Sequence, residues 1–157
     1  LKKNIFKYIF IVVLILGIIT PYIDYFVVVQ MFFLLIPFIG ILAYSLILFI
    51  FNSIKYKKRV FKLTSTKIII LLPLFLFTQI ISMFIVDKVQ RFRSEQIIFT
   101  LKNNSKIHPK EMPTTYGIKY NKFTYSNNFN IEYKRGFFVR EIYNSESKTW
   151  KSYGWRD

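Results

Sequence analysis

The sequence predicts a mainly α-helical membrane protein, with three transmembrane helices followed by a small C-terminal α+β domain made of an amphipathic helix and a three- or four-stranded antiparallel meander. Three observations carry this prediction. Long uncharged apolar runs fill the chain to about Val86. Lys and Arg collect between and beyond those runs, so that 53% hydrophobic residues coexist with a formal net charge of +15. Past Pro113 the apolar spacing changes from helical to alternating, the mark of half-buried strands. The 157 residues therefore divide into a membrane domain, residues 1–86, and an extramembrane domain, residues 87–157.

A spanning helix needs about 20 mainly apolar residues to cross roughly 30 Å of hydrocarbon. The first candidate covers about residues 5–25. Its uncharged core, Tyr8 to Ile23, is short, so Lys7 snorkels to the interface and Asp24 sits there. Lys2, Lys3 and Lys7 ahead of an apolar core also suit a signal peptide. Gly17-Ile18-Ile19-Thr20-Pro21-Tyr22 offers bulky residues where signal peptidase needs small ones, which favours an uncleaved anchor. Residue 1 is Leu and the first methionine is Met31, a pattern read as a non-ATG start translated literally rather than a clipped chain. The second span runs over about residues 26–51, with Gln30 and Ser45 as its main polar side chains and Pro37 as an expected kink. A basic loop, residues 52–67, leads to the third span, residues 68–86, which ends at Asp87-Lys88 and contains Pro73 as a second expected kink. Within it Thr78, Gln79 and Ser82 lie close to one helix face and are expected to hydrogen-bond across helices. A soluble core is excluded because the runs leave no polar face for water. On the insertion scale each central Leu, Ile, Phe or Val contributes about −0.3 to −0.6 kcal/mol, enough in sum to favour the bilayer by several kcal/mol.

Basic residues in short flanking segments are retained in the cytoplasm. The N-terminus holds Lys2, Lys3 and Lys7, and the second connection holds Lys55, Lys57, Lys58, Arg59, Lys62 and Lys67, whereas the first connection holds only Asp24. Against those nine stand five beyond the third span, Lys88, Arg91, Arg93, Lys102 and Lys106. The majority predicts a multi-pass protein of a bacterial inner membrane, with its N-terminus cytoplasmic and its C-terminal domain extracytoplasmic. The basic loop is read as a topogenic segment that also touches anionic headgroups, at about 1 kcal/mol per basic residue near the surface.

Residues 87–102 are expected to continue the third helix, with Val89, Phe92 and Phe99 as the apolar stripe that covers one face of a sheet. Asn103-Asn104-Ser105 supplies a helix stop, and Pro109 and Pro113 an extended connection. Tyr116, Ile118 and Tyr120 alternate with polar residues, as do Phe129, Ile131 and Tyr133. Ser126-Asn127-Asn128 is a turn, Arg135-Gly136 a bend or bulge, and Asn144-Ser145-Glu146-Ser147 a loop. The succession of a helix, Ile107-His108-Pro109-Lys110-Glu111-Met112, and aromatic strands ending in Tyr143-Asn144-Ser145-Glu146-Ser147-Lys148-Thr149-Trp150 resembles pseudopilin-type heads over at most Arg91 to Trp155. That resemblance implies a helix wrapped by a small antiparallel sheet, used for assembly or display at the membrane without catalysis. The chain departs from those proteins in its two additional spans and in having no Gly-Phe-Thr-Leu-x-Glu processing motif.

The absence of cysteine excludes disulfides and thiolate chemistry. His108 is the only histidine, with no cysteine and no second histidine to share a metal, so it is read as a loop residue, with no metal and no cofactor expected. Glu132 and Glu141 suggest a carboxylate pair, or more simply two partners for neighbouring Lys and Arg. Transport would need ionisable residues within the spans, and the runs have none away from their ends. Fourteen basic residues against seven acids from Asp87 onward suit an acidic partner. The candidate interaction surface is Lys134, Arg135, Phe137, Phe138, Arg140, Trp150 and Trp155. Its basic and aromatic mixture imitates single-strand nucleic-acid binders, but an extracytoplasmic site excludes nucleic acid. The expected partners are the lipid bilayer, another envelope protein or an anionic lipid surface. The expected function is a non-enzymatic protein-interaction or assembly role, the alternative being a membrane-embedded self-protection protein that confers immunity to a toxin. An intramembrane enzyme or transporter ranks last.

Overall fold

The apolar runs fold as helices whose breaks fall just before prolines. The computed structural model describes residues 2–104, 109, 111, 112 and 116–154. Helices α1 (Lys2–Ile19), α2 (Asp24–Phe32), α3 (Leu35–Tyr56), α4 (Thr64–Ile69) and α5 (Leu71–Asn104) are followed by strands β1 (Ile118–Lys122), β2 (Phe129–Gly136), β3 (Val139–Asn144) and β4 (Thr149–Tyr153). Tight 3-10 turns occupy Thr20–Tyr22 and Lys57–Lys62. Three helical stretches, Ile5–Tyr22, Leu35–Lys62 and Thr64–Asn103, are long and apolar enough to cross a membrane.

The second stretch differs from the continuous run 26–51 expected from composition. It breaks at Phe33 and Leu34 and extends to Tyr56. Pro37 explains the break, because proline has no N–H and its ring clashes with the preceding turn except at a helix start. The helix restarts at Leu35, which places Pro37 in the first turn of α3. Across the break the Leu34 N–H reaches back to the Val29 carbonyl at 3.1 Å, and the Phe38 N–H donates to Leu34 at 2.8 Å. Pro73 sits equivalently in the first turn of α5. The two prolines interrupt helices where kinks were expected.

The chain divides into two units, Leu1–Ser82 and Met83–Asp157. In the first, α1 and the α4–α5 stretch run parallel. Lys67 Nζ lies 5.4 Å from the Phe6 ring, and a Cβ on Gly17 would stand 2.8 Å from the Thr78 Cβ. Ser82 Oγ donates to the Ile18 carbonyl at 3.0 Å. Helix α3 runs the other way, since Asn52 near its end bonds Thr66 at 3.4 Å and Phe38 near its start meets Phe75 at 6.5 Å. Of the expected polar face, Gln79 and Ser82 bond across helices, whereas Thr78 Oγ1 donates to the Leu74 carbonyl of its own helix at 2.7 Å. Gln30 and Gln79 exchange two amide hydrogen bonds of 3.0 and 2.9 Å, and Gln79 also donates to Thr20 Oγ1 at 2.8 Å. All three side chains are buried, and their mutual bonding meets the requirement that polar groups out of water be paired.

In the second unit the four strands form one antiparallel sheet in sequence order. Alternation along each strand sends Ile118, Phe129, Ile131, Tyr133 and Tyr143 to one face, where they pack with Ile98 and Leu101 of α5. The helix stripe expected to cover the sheet is the wrong one. Val89, Phe92 and Phe99 are 41%, 62% and 68% exposed. The residues turned inward are Ser94, Ile98 and Leu101, with Ile97 partly buried against the core. Spacings of three and four align these residues on one face. The small Ser94 suits a face that must approach an aromatic sheet closely, which a Phe there would not.

Candidate interaction surfaces of the C-terminal unit

The inner sheet face carries a charged clamp as well as apolar rings. Register pairs Tyr133 with Glu141 and Glu141 with Ser152, so three polar side chains point toward the helix side by side. The Tyr133 hydroxyl donates to Asp87 Oδ1 at 2.9 Å. Glu141, only 6% exposed, accepts from Ser152 Oγ at 2.6 Å and from Arg135 Nη1 at 3.4 Å. Arg135 Nε lies 4.0 Å from Asp87. Burial, followed by the bond to Asp87 and the charges of Asp87 and Glu141, raises the Tyr133 phenol far above its ordinary 10.0. Trp150 belongs to the same face, with ring centroids 5.7 Å from Tyr133 and 5.4 Å from Tyr143. The Arg91 guanidinium stacks 3.9 Å over it, a cation–π contact that also pairs with Glu95 at 3.0 Å.

The opposite face is basic. Lys119, Lys134, Arg140 and Lys151 are exposed there, and Glu132 is the acid among them, pairing with Arg140 at 3.3 Å. Lys134 and Arg140 stand directly opposite each other across β2 and β3, an arrangement that costs stability on its own. Beside them Asn130, Ile142, Asn144, Ser147, Lys151 and Tyr153 line a polar recess of about 120 Å³, and the side-chain oxygen of Asn130 is buried with no hydrogen-bond partner.

The residues singled out from sequence thus fall in separate places. Lys134 and Arg140 lie on the basic face, while Arg135 and Trp150 belong to the clamp. Phe137 and Phe138 form the two-residue turn between β2 and β3, because Gly136 pairs with Val139. Both have positive φ, 50° and 62°, as a type I′ turn demands, where Asn-Gly is usual. Trp155 and His108 lie outside the described residues. Glu132 and Glu141 project from opposite faces and each pairs with an arginine. Among the described residues no three His, Asp or Glu side chains gather as a metal site.

Sequence reasoning assigned one surface to the core. Val89, Phe92 and Phe99 form an exposed apolar stripe on α5. Tyr116 is also exposed and carries Arg93 of α5 4.3 Å over its ring. Exposed rings beside arginine match the composition of protein interfaces. The signal that would have found this surface is Ser94, whose size marks the face that meets the sheet. Compared with protein-family models, curated proteins and solved structures, the chain matches none.

Proposed function

We propose that this chain is an integral membrane protein with three spans, whose C-terminal unit binds another protein of the envelope in an assembly or accessory role, without catalysis. The observation that carries the reading is the exposed stripe Val89, Phe92 and Phe99 on α5. Large apolar side chains left exposed on one side of a helix beyond the span suit a contact site. The basic sheet face, with Lys119, Lys134, Arg140 and Lys151, selects a partner with acidic patches and speeds encounter.

Insertion is supported by the large apolar side chains that α1 and α3 leave exposed, since only lipid or another helix covers such a surface favourably. Orientation is supported by the parallel course of α1 and α4–α5, which puts the N-terminal lysines and the basic loop at the same end. With that end cytoplasmic, as the basic majority requires, the C-terminal unit lies outside the cytoplasm of a bacterial cell.

A cysteine placed at the exposed Ser126, in a chain with no cysteine of its own, tests the orientation. Reaction with an impermeant thiol reagent in intact cells or spheroplasts is expected. Reaction only after lysis refutes the orientation and moves the partner search to the cytoplasm. A photocrosslinker at Phe92 tests the contact itself. Adducts with a distinct envelope protein are expected, adducts with a second copy would reassign the stripe to self-association, and no protein adduct would refute the interaction role.

A further inference from the structure

A second surface lies in the first unit, away from the residues used so far. Leu42, Leu46 and Phe49 of α3 face Phe61, Ile69 and Pro73 across a cleft of about 430 Å³. Ligand pockets span roughly 300–1,000 Å³, so this one accepts a molecule rather than a solvent site. Its shape follows from the helix. Residues 42, 46 and 49 lie at successive turns of α3, so the cleft runs about 10 Å along the helix axis, at about 1.5 Å per residue. Its lining is almost wholly apolar. Pro73 cannot return an N–H to the Ile69 carbonyl, and the break between α4 and α5 falls at Ile70, within the opposite wall.

The end of the cleft at Phe61 coincides with the most basic segment of the unit. Phe61 belongs to the 3-10 turn Lys57–Lys62, which also holds Lys58, Arg59 and Lys62. In a 3-10 turn residues i and i+3 eclipse, so Lys58 shares the face of Phe61, and Lys62 follows it directly. Lys57, Lys58, Arg59 and Lys62 are exposed. Among the described residues none of the four forms an ion pair with an acid of the chain. An apolar groove whose wall at Phe61 belongs to an exposed basic turn matches one chemistry, a flexible alkyl chain ending in an anion.

We infer that the cleft between α3 and the α4–α5 stretch is a binding site for one anionic phospholipid, its acyl chain along Leu42, Leu46 and Phe49 and its phosphate on Lys58 and Lys62. The inference rests on the membrane reading above and adds a specific site to it. Basic clusters beside membrane helices recognise anionic headgroups through charge. The apolar cleft adds the chain contact that a loop alone lacks, so retention depends on both parts.

The test uses the full-length chain purified from membranes in mild detergent and offered phosphatidylglycerol or phosphatidylcholine, with bound lipid counted by native mass spectrometry. One phosphatidylglycerol per chain is expected, retained at least fivefold better than phosphatidylcholine. Leu46→Trp fills the cleft from a position already 61% exposed, so folding tolerates it, and it is expected to abolish retention of both lipids. Lys58→Gln with Lys62→Gln is expected to leave retention of phosphatidylcholine unchanged and to erase the preference. Equal retention of the two lipids by the native chain, or undiminished phosphatidylglycerol on Leu46→Trp, overturns the site. Resistance of the same chain to alkaline carbonate extraction separates the two readings. A chain that resists extraction without lipid preference refutes only this site, whereas one released by carbonate refutes the membrane reading and the site together.

Discussion

Gln79 shows how much one side chain holds together. It bonds Gln30 twice and Thr20 once, joining α2, α5 and the turn after α1. Gln79→Leu leaves the Gln30 amide buried without its partner and is expected to destabilise the unit by about 1–2 kcal/mol. The double variant Gln30→Leu with Gln79→Leu removes donor and acceptor together and is expected to recover most of that loss, read by unfolding in mixed micelles. Tyr133 supplies a pH dependence. Its folded phenol titrates well above the ordinary 10.0. Below that pH both states hold the proton and no slope arises. Above it the unfolded chain ionises while the folded one does not, so stability falls as pH rises. Tyr133→Phe is expected to flatten this alkaline decline while lowering stability at neutral pH by about 1 kcal/mol through loss of the Asp87 bond. Gln79 was legible in the sequence as part of a polar face, but its choice of Gln30 was not, because the two lie 49 residues apart and spacing rules reach only neighbours. The Glu141 clamp was half legible. Ion pairing with a basic neighbour follows from composition, whereas the bond from Ser152 depends on strand register.

At the scale of elements, close approach and turn geometry set the sensitive points. Gly17 admits Thr78 and the Phe75 carbonyl at distances of 2.8 and 2.9 Å from a hypothetical Cβ, so Gly17→Leu is expected to push α1 off α5 and cost about 1–3 kcal/mol. Lys148, exposed in the β3–β4 loop with φ of 55°, adopts a left-handed backbone that L side chains disfavour. Lys148→Gly removes that cost and is expected to raise thermal stability by about 1 kcal/mol. The helical and strand periods were readable because burial imposes them directly. The break before Pro37 was less so, since an uncharged run looks continuous until the missing N–H is counted against the turn that needs it. The stripe on α5 was misread for a different reason. Apolar residues occur all round that helix, and the pattern alone does not say which side meets the sheet.

For the whole molecule, the exposed stripe and the fold are separable. Phe92→Asp in the full chain is expected to leave thermal unfolding within about 0.5 kcal/mol of the native value, as for a surface change, while crosslinking from Phe99 to the proposed partner falls severalfold. A parallel loss of stability would instead mean that Phe92 supports the fold. Two regions of opposite character were apparent in the sequence from charge segregation, and the parallel course of α1 and α4–α5 fits an odd number of crossings. The glutamine pair has one more consequence, which concerns birth rather than stability. A ribosome adding about 5–20 residues per second delivers Gln79 on the order of 2–10 s after Gln30. During that interval the Gln30 amide has no Gln79 to bond, so the α2–α3 segment is expected to linger beside the insertion machinery until the third helix arrives.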